Sequence, residues 1–374
     1  MLKLDCGLIS ESQTGEDFEH YLYEAYVANG DGWKTKAYYF LKPAIPRAMQ
    51  LALRQRYRAV QEAREFPAWP IEPLLVNKVA DVLTKTVASN SGKPVYRLSL
   101  WPEGKRFCFV ITHDVEWDTG LSNALRLADI EKRLGFISSW NIVPERYPID
   151  WSIVDRLRQD GFEIGVHGLK HDGKLFQSHR LFQKRLEKIH EYASKWGATG
   201  FRSPSTLRNV HWMPELQFEY DSSFPDTDPY EPQPGGCCSI WPYFIDHLVE
   251  LPLTMPQDHT LFEILGHKDI SVWKKKADWI ESRHGMVLIN VHPDYMLAED
   301  RLALYEEFLL SMKAKNEMWH ALPREVARWW RDRAASTLKQ DNGHVVIQGP
   351  AANRGRIFQT RLENGMLCDH LVPA

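Results

Sequence analysis

Seven short runs of apolar, β-forming residues recur between residues 107 and 292, and longer polar segments separate them. Several of the separating segments carry apolar residues at spacings of three and four, the pattern of an amphipathic helix. Segments 264–284 and 298–334 are predicted helices, and the clearest helix pattern is 173–197. Its apolar face consists of Leu175, Phe182, Leu186, Ile189, Ala193 and Trp196. Alternating strands and helices indicate βαβ units, and seven strands favour a distorted (β/α) barrel of parallel strands.

The two ends of the 374-residue chain differ from this middle part. Residues 1–104 are predicted to form an N-terminal extension that is largely helical. Residues 105–337 are predicted to form the barrel. Residues 338–374 hold short β-forming stretches separated by glycines, and are predicted to form a small C-terminal β appendage. A chain of this length can bury a full core.

Composition excludes several classes of protein. Hydrophobic residues make up 44% and charged residues 25%, which is typical of a globular protein. A net charge of −3 argues against a nucleic-acid partner. No apolar run reaches the roughly 18 residues that a membrane span needs, and the first residues do not have the pattern of a secretory signal. The five cysteines are scattered, which favours the reducing cytoplasm.

One segment of the extension is strongly basic. Residues 34–58 contain seven basic residues and no acidic one, interleaved with aromatic and aliphatic side chains. The favoured interpretation is a solvated helix face that packs across the barrel. The alternative is a weak contact with an anionic membrane surface or with a phosphate-bearing carrier lipid.

Polar side chains of the kind that bind metals or move protons follow six of the seven predicted strands. In a parallel α/β fold the carboxyl ends of the strands meet on one side, and chemistry is concentrated there. One such strand end would mean little, but six predict a functional site. The residues are His113, Asp114 and Glu116; His167, His171 and Asp172; Arg202 and Ser203; Asp221, Asp226 and Asp228; Asp258 and His259; and His292 and Asp294.

Two histidines in this set are four residues apart. His167 and His171 are joined by a glycine-containing turn, so both imidazoles can converge on one divalent ion. A carboxylate as third ligand would leave positions open for water, as a catalytic site requires. Such a pair on its own is more often two unrelated surface histidines, but its position at a strand end favours the metal site. By the same comparison, His292 could be a core histidine and Arg202 an ordinary ion-pair partner.

The order of these motifs resembles that of the polysaccharide deacetylases, the NodB homology family of metal-dependent carbohydrate esterases. The resemblance covers about 105–295, roughly half the chain. Two departures concern Gly168, where the family has Ser or Thr, and Ser205-Thr206, where it has an aromatic residue and glycine. The matching parts are His167-x-x-x-His171, Arg202-x-Pro204 and His292.

The third departure lies in the first motif. The family has two adjacent acids, a general base and then a metal ligand, but here Val115 stands at the second position. Alignment on Thr112 makes Asp114 the base and leaves the metal to Glu116, and strand alternation points residues 114 and 116 the same way. The rival assignment makes Asp114 the ligand and leaves the base unfilled. His113 is a third candidate ligand, although alternation turns it away from Asp114.

The resemblance implies a metal-dependent hydrolase that removes an N-acetyl group from an amino sugar or a saccharide precursor. It implies one divalent ion, expected to be zinc, on His167, His171 and Glu116. It also implies that Asp114 is the general base, that His292 is the general acid and that Arg202 orients the catalytic acid. The backbone near Ser205 would hold the developing oxyanion. The residues expected to contact substrate are Pro204, Ser205, Asp221 and Asp258.

Two alternatives remain open at the level of the sequence. The first is hydrolysis of another small linear or cyclic amide, which other members of the family carry out. The second is a catalytically impaired relative that binds a saccharide or a partner protein, and the departures in the motifs favour it. If the protein is cytoplasmic, a nucleotide- or lipid-linked precursor is a more plausible substrate than a finished cell-wall polymer.

Overall fold

The computed structural model describes residues 18–27, 47–90, 93–341 and 344–372. Residues 34–46 of the basic segment lie outside these ranges, and 47–58 form part of the first named helix. The helices are α1 (Arg47–Glu62), α2 (Leu74–Ser89), α3 (Asp118–Leu134), α4 (Trp151–Gln159), α5 (His179–Trp196), α6 (Ser271–Ser282), α7 (Glu299–Lys313) and α8 (Pro323–Ala334). The strands are β1 (Val95–Leu98), β2 (Phe107–Val115), β3 (Ser139–Ile142), β4 (Glu163–His167), β5 (Gly200–Arg202), β6 (Tyr220–Asp221), β7 (Tyr243–Ile245), β8 (Leu248–Glu250), β9 (Met286–Val291), β10 (Met318–His320), β11 (Thr337–Asp341), β12 (His344–Gln348), β13 (Ile357–Glu363) and β14 (Met366–Leu371).

A curled sheet of nine strands forms the centre of the molecule. Strand β2 pairs in parallel with β9, β3 and β10, and the sheet continues in parallel through β4, β5, β6 and β8. Only β7, at the end, runs antiparallel to its neighbour. The predicted α/β fold with a distorted barrel of parallel strands is therefore confirmed, in the form of a half-barrel.

The strands that carry the predicted site are buried along their whole length. Every residue of β2, β4 and β9 is buried, as expected for parallel strands covered on both faces. This burial explains why these segments are continuous apolar runs in the sequence and do not alternate. Their polar residues are therefore exceptions inside a core, and each requires a partner.

Helix boundaries follow local capping signals more closely than apolar spacing. Helix α5 begins after Ser178, whose side chain accepts a hydrogen bond from the Leu181 amide, and ends at Gly197 in the left-handed region. It therefore starts later than the predicted segment 173–197. The predicted helix 298–334 is two helices, α7 and α8, because β10 intervenes and Pro323 begins a new helix.

Two small antiparallel sheets lie outside the half-barrel. Strands β11 and β12 form a hairpin, and β13 pairs with both β14 and β1. The β character predicted for 338–374 is thus present, and β1, from the predicted N-terminal extension, shares a sheet with that segment. The division of the chain into three domains stays a prediction. None of the described helices is long and apolar enough to cross a membrane.

Candidate active site

Three potential metal ligands converge at the carboxyl ends of β2 and β4. Glu116 directly follows β2, His167 is the last residue of β4, and His171 lies in the loop that follows. One ligand atom from each of the three lies within 4.8 Å of the other two. The Glu116 Oε1 atom is 2.9 Å from His171 Nε2. Two imidazoles and one carboxylate are a donor set that suits a divalent transition metal.

The ring of His167 is oriented as a metal ligand would be. Its Nδ1 lies 3.1 Å from the Arg202 carbonyl oxygen, so Nδ1–H donates and the lone pair is on Nε2. Nε2 is buried and has no hydrogen-bond partner among the described residues. Burial lowers the pKa of His167 to about 4, which keeps the ring neutral near pH 7. A buried nitrogen with a fixed tautomer and a free lone pair fits a metal ion.

The turn between the two histidines explains one departure from the family pattern. Gly168 has a φ of 60°, and a Cβ atom at this position would lie 2.5 Å from Pro204 Cδ. Ser or Thr would be strained there and would collide with Pro204. His171 also has a positive φ, of 50°. Glycine is thus required where the histidine turn packs against the turn that follows β5.

Asp294 fixes the backbone of Glu116, and His171 keeps its carboxylate ionised. Asp294 accepts hydrogen bonds from the Glu116 amide (2.9 Å) and the Gly120 amide (3.0 Å). A side chain at Gly120 would overlap the Asp294 carboxylate, so glycine permits this contact. Burial alone would raise the pKa of Glu116, but His171 holds it well below its usual range. In the sequence, Asp294 was predicted only as a strand-end residue two positions after His292. Its contact with the Glu116 backbone was not predicted.

Asp114 lies beside the three ligands but is bound by other groups. Its Oδ1 accepts a hydrogen bond from Asn141 Nδ2 and its Oδ2 one from Asn290 Nδ2, both at 2.9 Å. The Arg202 Nη1 atom lies 3.5 Å from Oδ2. Burial opposes ionisation, but Arg202 and the neighbouring histidines hold the pKa of Asp114 far below its ordinary value. Asp114 is thus an ionised, fixed carboxylate 4.0 Å from His167 Nε2.

His292 faces Asp114 from the end of β9. Its Nε2 lies 4.0 Å from Asp114 Oδ2 and 4.0 Å from Glu116 Oε1. Its Nδ1 is 2.7 Å from Asp258 Oδ1, and its backbone amide donates to the other oxygen of Asp258. Burial would lower the pKa of His292, but Asp258 raises it to about 10. His292 therefore carries a proton at neutral pH.

Two predicted substrate contacts, Asp258 and Asp221, have other partners. Asp258 is completely buried, and both of its carboxylate oxygens contact His292, so it positions that ring. Asp221 is also completely buried; it accepts a hydrogen bond from Ser223 Oγ at 2.7 Å and lies against Glu250. Burial raises the pKa of Asp221. Direct contact of either carboxylate with substrate stays a prediction, and the observed partners of both are residues of the protein.

Arg202 contacts two buried hydroxyl groups as well as Asp114. Its Nη2 donates to Thr112 Oγ1 at 3.2 Å and to Ser222 Oγ at 3.0 Å, while Nη1 faces Asp114. That Arg202 orients the catalytic acid stays a prediction, since its contact within the site is with Asp114. Beyond β5, Pro204 is buried against the histidine turn, whereas Ser205 is partly exposed and has a φ of 55°.

His113, the third candidate ligand, points away from the site. Its Nδ1 lies 3.0 Å from the Val291 carbonyl oxygen and its Nε2 lies 2.7 Å from Glu131 Oε1. Strand alternation places it on the face of β2 opposite Asp114. Both ring nitrogens have partners, so His113 is a satisfied core residue and offers no lone pair to a metal ion.

Comparison with known proteins gives structural matches but no sequence matches. No family model and no curated protein matches the sequence. A protein from Mycobacterium smegmatis assigned as a polysaccharide deacetylase matches with a TM-score of 0.51 and 19% identity, over 65% of this chain and 96% of that one. An allantoinase (0.47, 16% identity) and an assigned polysaccharide deacetylase from Pseudomonas aeruginosa PAO1 (0.47, 17%) each match 62% of this chain and 92% and 93% of their own.

The fold comparison rests on the first of these structures, since the other two are weaker. At 19% identity it bears on the fold and leaves the substrate undetermined. The resemblance found in the sequence motifs is confirmed at this level. The chain therefore has the fold of the polysaccharide deacetylases, with Glu116, His167 and His171 grouped so that they could hold one divalent metal ion.

Proposed function

We propose that this protein is a metal-dependent amide hydrolase that removes an N-acetyl group from an amino sugar or a saccharide precursor. One observation carries the proposal. The three potential ligands lie beside an ionised carboxylate, Asp114, and a protonated imidazole, His292, which are themselves 4.0 Å apart. Amide hydrolysis requires a proton acceptor for the attacking water, a proton donor for the leaving nitrogen and a means of polarising the carbonyl.

The metal ion, zinc in this proposal, would supply the last of these when bound, by polarising the amide carbonyl and acidifying the attacking water. Mixed imidazole and carboxylate ligands are typical of zinc, although other first-row metals share this preference. Glu116, His167 and His171 would hold the ion. The free lone pair on His167 Nε2 and the fixed ring orientation are the features that support this assignment.

Asp114 is the proposed proton acceptor. Hydrogen bonds from Asn141 and Asn290 fix both carboxylate oxygens, and Arg202 keeps the group ionised. An ionised carboxylate held in one orientation can accept a proton from water without first rearranging. The separation of 4.0 Å from His167 Nε2 leaves Asp114 next to the proposed ion position, while Glu116 is in the ligand group. This arrangement supports Asp114 as base and Glu116 as ligand.

His292 is the proposed proton donor. Because Asp258 raises its pKa to about 10, the ring is protonated at neutral pH, and Nε2 faces the space beside Asp114. It can therefore give its proton to the leaving amine nitrogen. Asp258 orients the ring through Nδ1, so Nε2 is the nitrogen that faces the substrate. The Ser205 turn is proposed to hold the developing oxyanion.

Metal content and product release test this proposal together. Elemental analysis after dialysis against zinc should find one equivalent in the wild type and in His370→Ala, which changes an exposed histidine remote in sequence from the site. The double variant His167→Ala, His171→Ala should bind none. Acetate release from N-acetylated amino sugars should follow the same pattern.

The outcomes separate the alternatives. Metal binding without acetate release, but with hydrolysis of other linear or cyclic amides, would support the broader amide hydrolase. Equal, negligible metal in the wild type and the double variant would refute the metal site and favour a saccharide-binding relative. Such a relative would still bind saccharide without turnover.

Two further parts of the proposal concern location. The scattered cysteines support a cytoplasmic protein, and the four that the structure describes are free thiols. Cell fractionation would test the cytoplasmic location.

The basic segment 34–58 is proposed to make a weak contact with anionic membranes. Sedimentation with anionic vesicles at low and high salt tests that contact, and no binding at low salt would refute it.

A further inference from the structure

An arginine lies at the rim of the candidate site. Arg146 follows β3, and its guanidinium carbon is 3.6 Å from the centre of the Trp117 ring. Trp117 is the residue after Glu116 and is 38% exposed. Arg146 Nη1 also lies 3.5 Å from the His171 carbonyl oxygen, a long hydrogen bond. Arg146 therefore contacts the neighbour of one proposed ligand and the backbone of another.

This guanidinium has no carboxylate partner. Within the described part of the chain, no carboxylate oxygen lies in ion-pair range of Arg146, and the adjacent Glu145 pairs with Lys170 (3.4 Å) and Lys188 (3.8 Å). Arg146 is nevertheless half-buried. Burial lowers the pKa of Arg146, and the more distant Glu116 and Asp294 oppose that change. A guanidinium has five N–H donors, and most of those on Arg146 are still available to a ligand.

A second arginine–tryptophan pair in the same chain shows what an ordinary surface contact looks like. The Arg158 guanidinium carbon is 5.9 Å from the Trp151 ring centre, and Trp151 is also 38% exposed. Arg158 has its own partners, Asp155 at 3.1 Å and the Trp196 carbonyl oxygen at 3.1 Å. Both arginines thus lie over an exposed tryptophan, Arg146 at the shorter distance. Of these two arginines, only Arg146 has no anionic partner among the described residues.

We propose that Arg146, held in place by Trp117, binds an anionic group of the substrate. This inference rests on the proposed function and narrows its substrate class. The substrate would be an N-acylated saccharide or small amide that carries a carboxylate or a phosphate near the scissile amide. Arginine binds either group through paired N–H donors, and a partly desolvated, fixed guanidinium does so with less loss of side-chain freedom.

A structural role for Arg146 makes a different prediction. If the arginine only offsets the charge of Glu116 and anchors the loop, its removal should change metal affinity or stability and leave the choice of ligand unaltered. If it recognises an anion, its removal should abolish the preference for acidic ligands and leave metal affinity close to that of the wild type.

Binding measurements with three sugars test the proposal. The probes are N-acetylglucosamine, its phosphate ester and N-acetylmuramic acid, which are neutral, phosphate-bearing and carboxylate-bearing. Titration calorimetry should be performed on zinc-loaded and on metal-free protein, because an ion can itself bind a phosphate. We expect the wild type to bind one of the acidic sugars about 10–100-fold more tightly than the neutral sugar in both forms, the range of a charged hydrogen bond. The acidic sugar that binds more tightly than the neutral sugar shows whether the recognised anion is a phosphate or a carboxylate.

The variants decide the role of the residue. Arg146→Met should lose the preference, Arg146→Lys should keep part of it, and Arg158→Met, the matched control, should keep all of it. Zinc titrations without sugar run in parallel. The inference is wrong if the wild type shows no preference, or if the preference survives in Arg146→Met. A failure to bind zinc would refute the proposed function instead, while the metal-free measurements would still decide the role of Arg146.

Discussion

Two buried histidines on parallel strands, His113 and His167, make an informative comparison. Both side chains are at most 1% exposed. His113 uses both ring nitrogens, on the Val291 carbonyl oxygen and on Glu131, and its ring stacks on Trp140 at 4.0 Å between centres. Glu131 in turn accepts hydrogen bonds, from Ser138 at 2.6 Å and Tyr305 at 2.8 Å.

His167 is equally buried, but only one of its two ring nitrogens has a hydrogen-bond partner in the described part of the chain. Only its Nδ1 has a partner, and Nε2 faces Glu116, His171 and Asp114 without a hydrogen bond among the described residues. A buried polar group left without a partner costs free energy, so its persistence needs a reason. The comparison shows that burial alone does not distinguish a structural histidine from a functional one. The number of satisfied ring nitrogens separates these two residues, and it supports His167 as the candidate ligand.

The largest effect is expected from Asp114→Asn. The amide cannot accept a proton as the carboxylate does, so turnover should fall about 100- to 10,000-fold while zinc remains bound. Acetate release and metal content should be measured on the same preparation. Asp160→Asn is the matched control, because that carboxylate pairs with Lys132 and Arg156 outside the predicted site and should leave turnover unchanged. Loss of zinc in Asp114→Asn would make Asp114 the ligand and reverse our assignment.

Glu116→Gln tests the other carboxylate. Removing the charged ligand should weaken zinc binding by at least about 10–100-fold, the loss typical even of residues that only support a ligand. Because Asp114 remains in place, added zinc should partly restore activity. Calorimetric zinc titration gives the affinity directly. An unchanged affinity would mean that Glu116 does not touch the ion.

His113→Gln should affect stability and spare the metal. It breaks the buried network around Glu131, which we expect to lower the free energy of unfolding by about 1–3 kcal/mol. Denaturant unfolding measures this loss, and zinc titration should match the wild type. The comparison between the two histidines fails if His113→Gln loses zinc while its unfolding transition is unchanged.

Asp258→Asn should give the smallest change, in the pH profile. His292 is protonated below its pKa of about 10 and loses its proton above it, so the rate should fall as pH rises through this value. The variant removes the main charge that raises this pKa. Its alkaline limb should move to lower pH, with a loss of about tenfold for each unit by which the pKa drops below the assay pH. A limb at the same pH in both proteins would show that His292 is not the proton donor.

The sequence by itself determined the fold class and which residues lie at the carboxyl ends of the parallel strands. Apolar runs alternating with amphipathic helices required a parallel sheet, and the carboxyl ends of its strands had to bring His167, Asp114 and His292 to one side. Strand alternation also separated His113 from Asp114. These features depend on neighbours in the chain, and local periodicity reports them well.

Only the tertiary structure decided which groups those residues meet. Asn141 and Asn290 reach Asp114 from neighbouring strands 27 and 176 residues away in sequence, and Asp258 reaches His292 across 34 residues. Gly168 is explained by Pro204, which packs against the same turn. Periodicity tells which face a side chain occupies, but a hydrogen-bond partner depends on strand order and register. Those are set by the packing of the whole sheet, so the division of labour among the strand-end residues had to come from the folded structure.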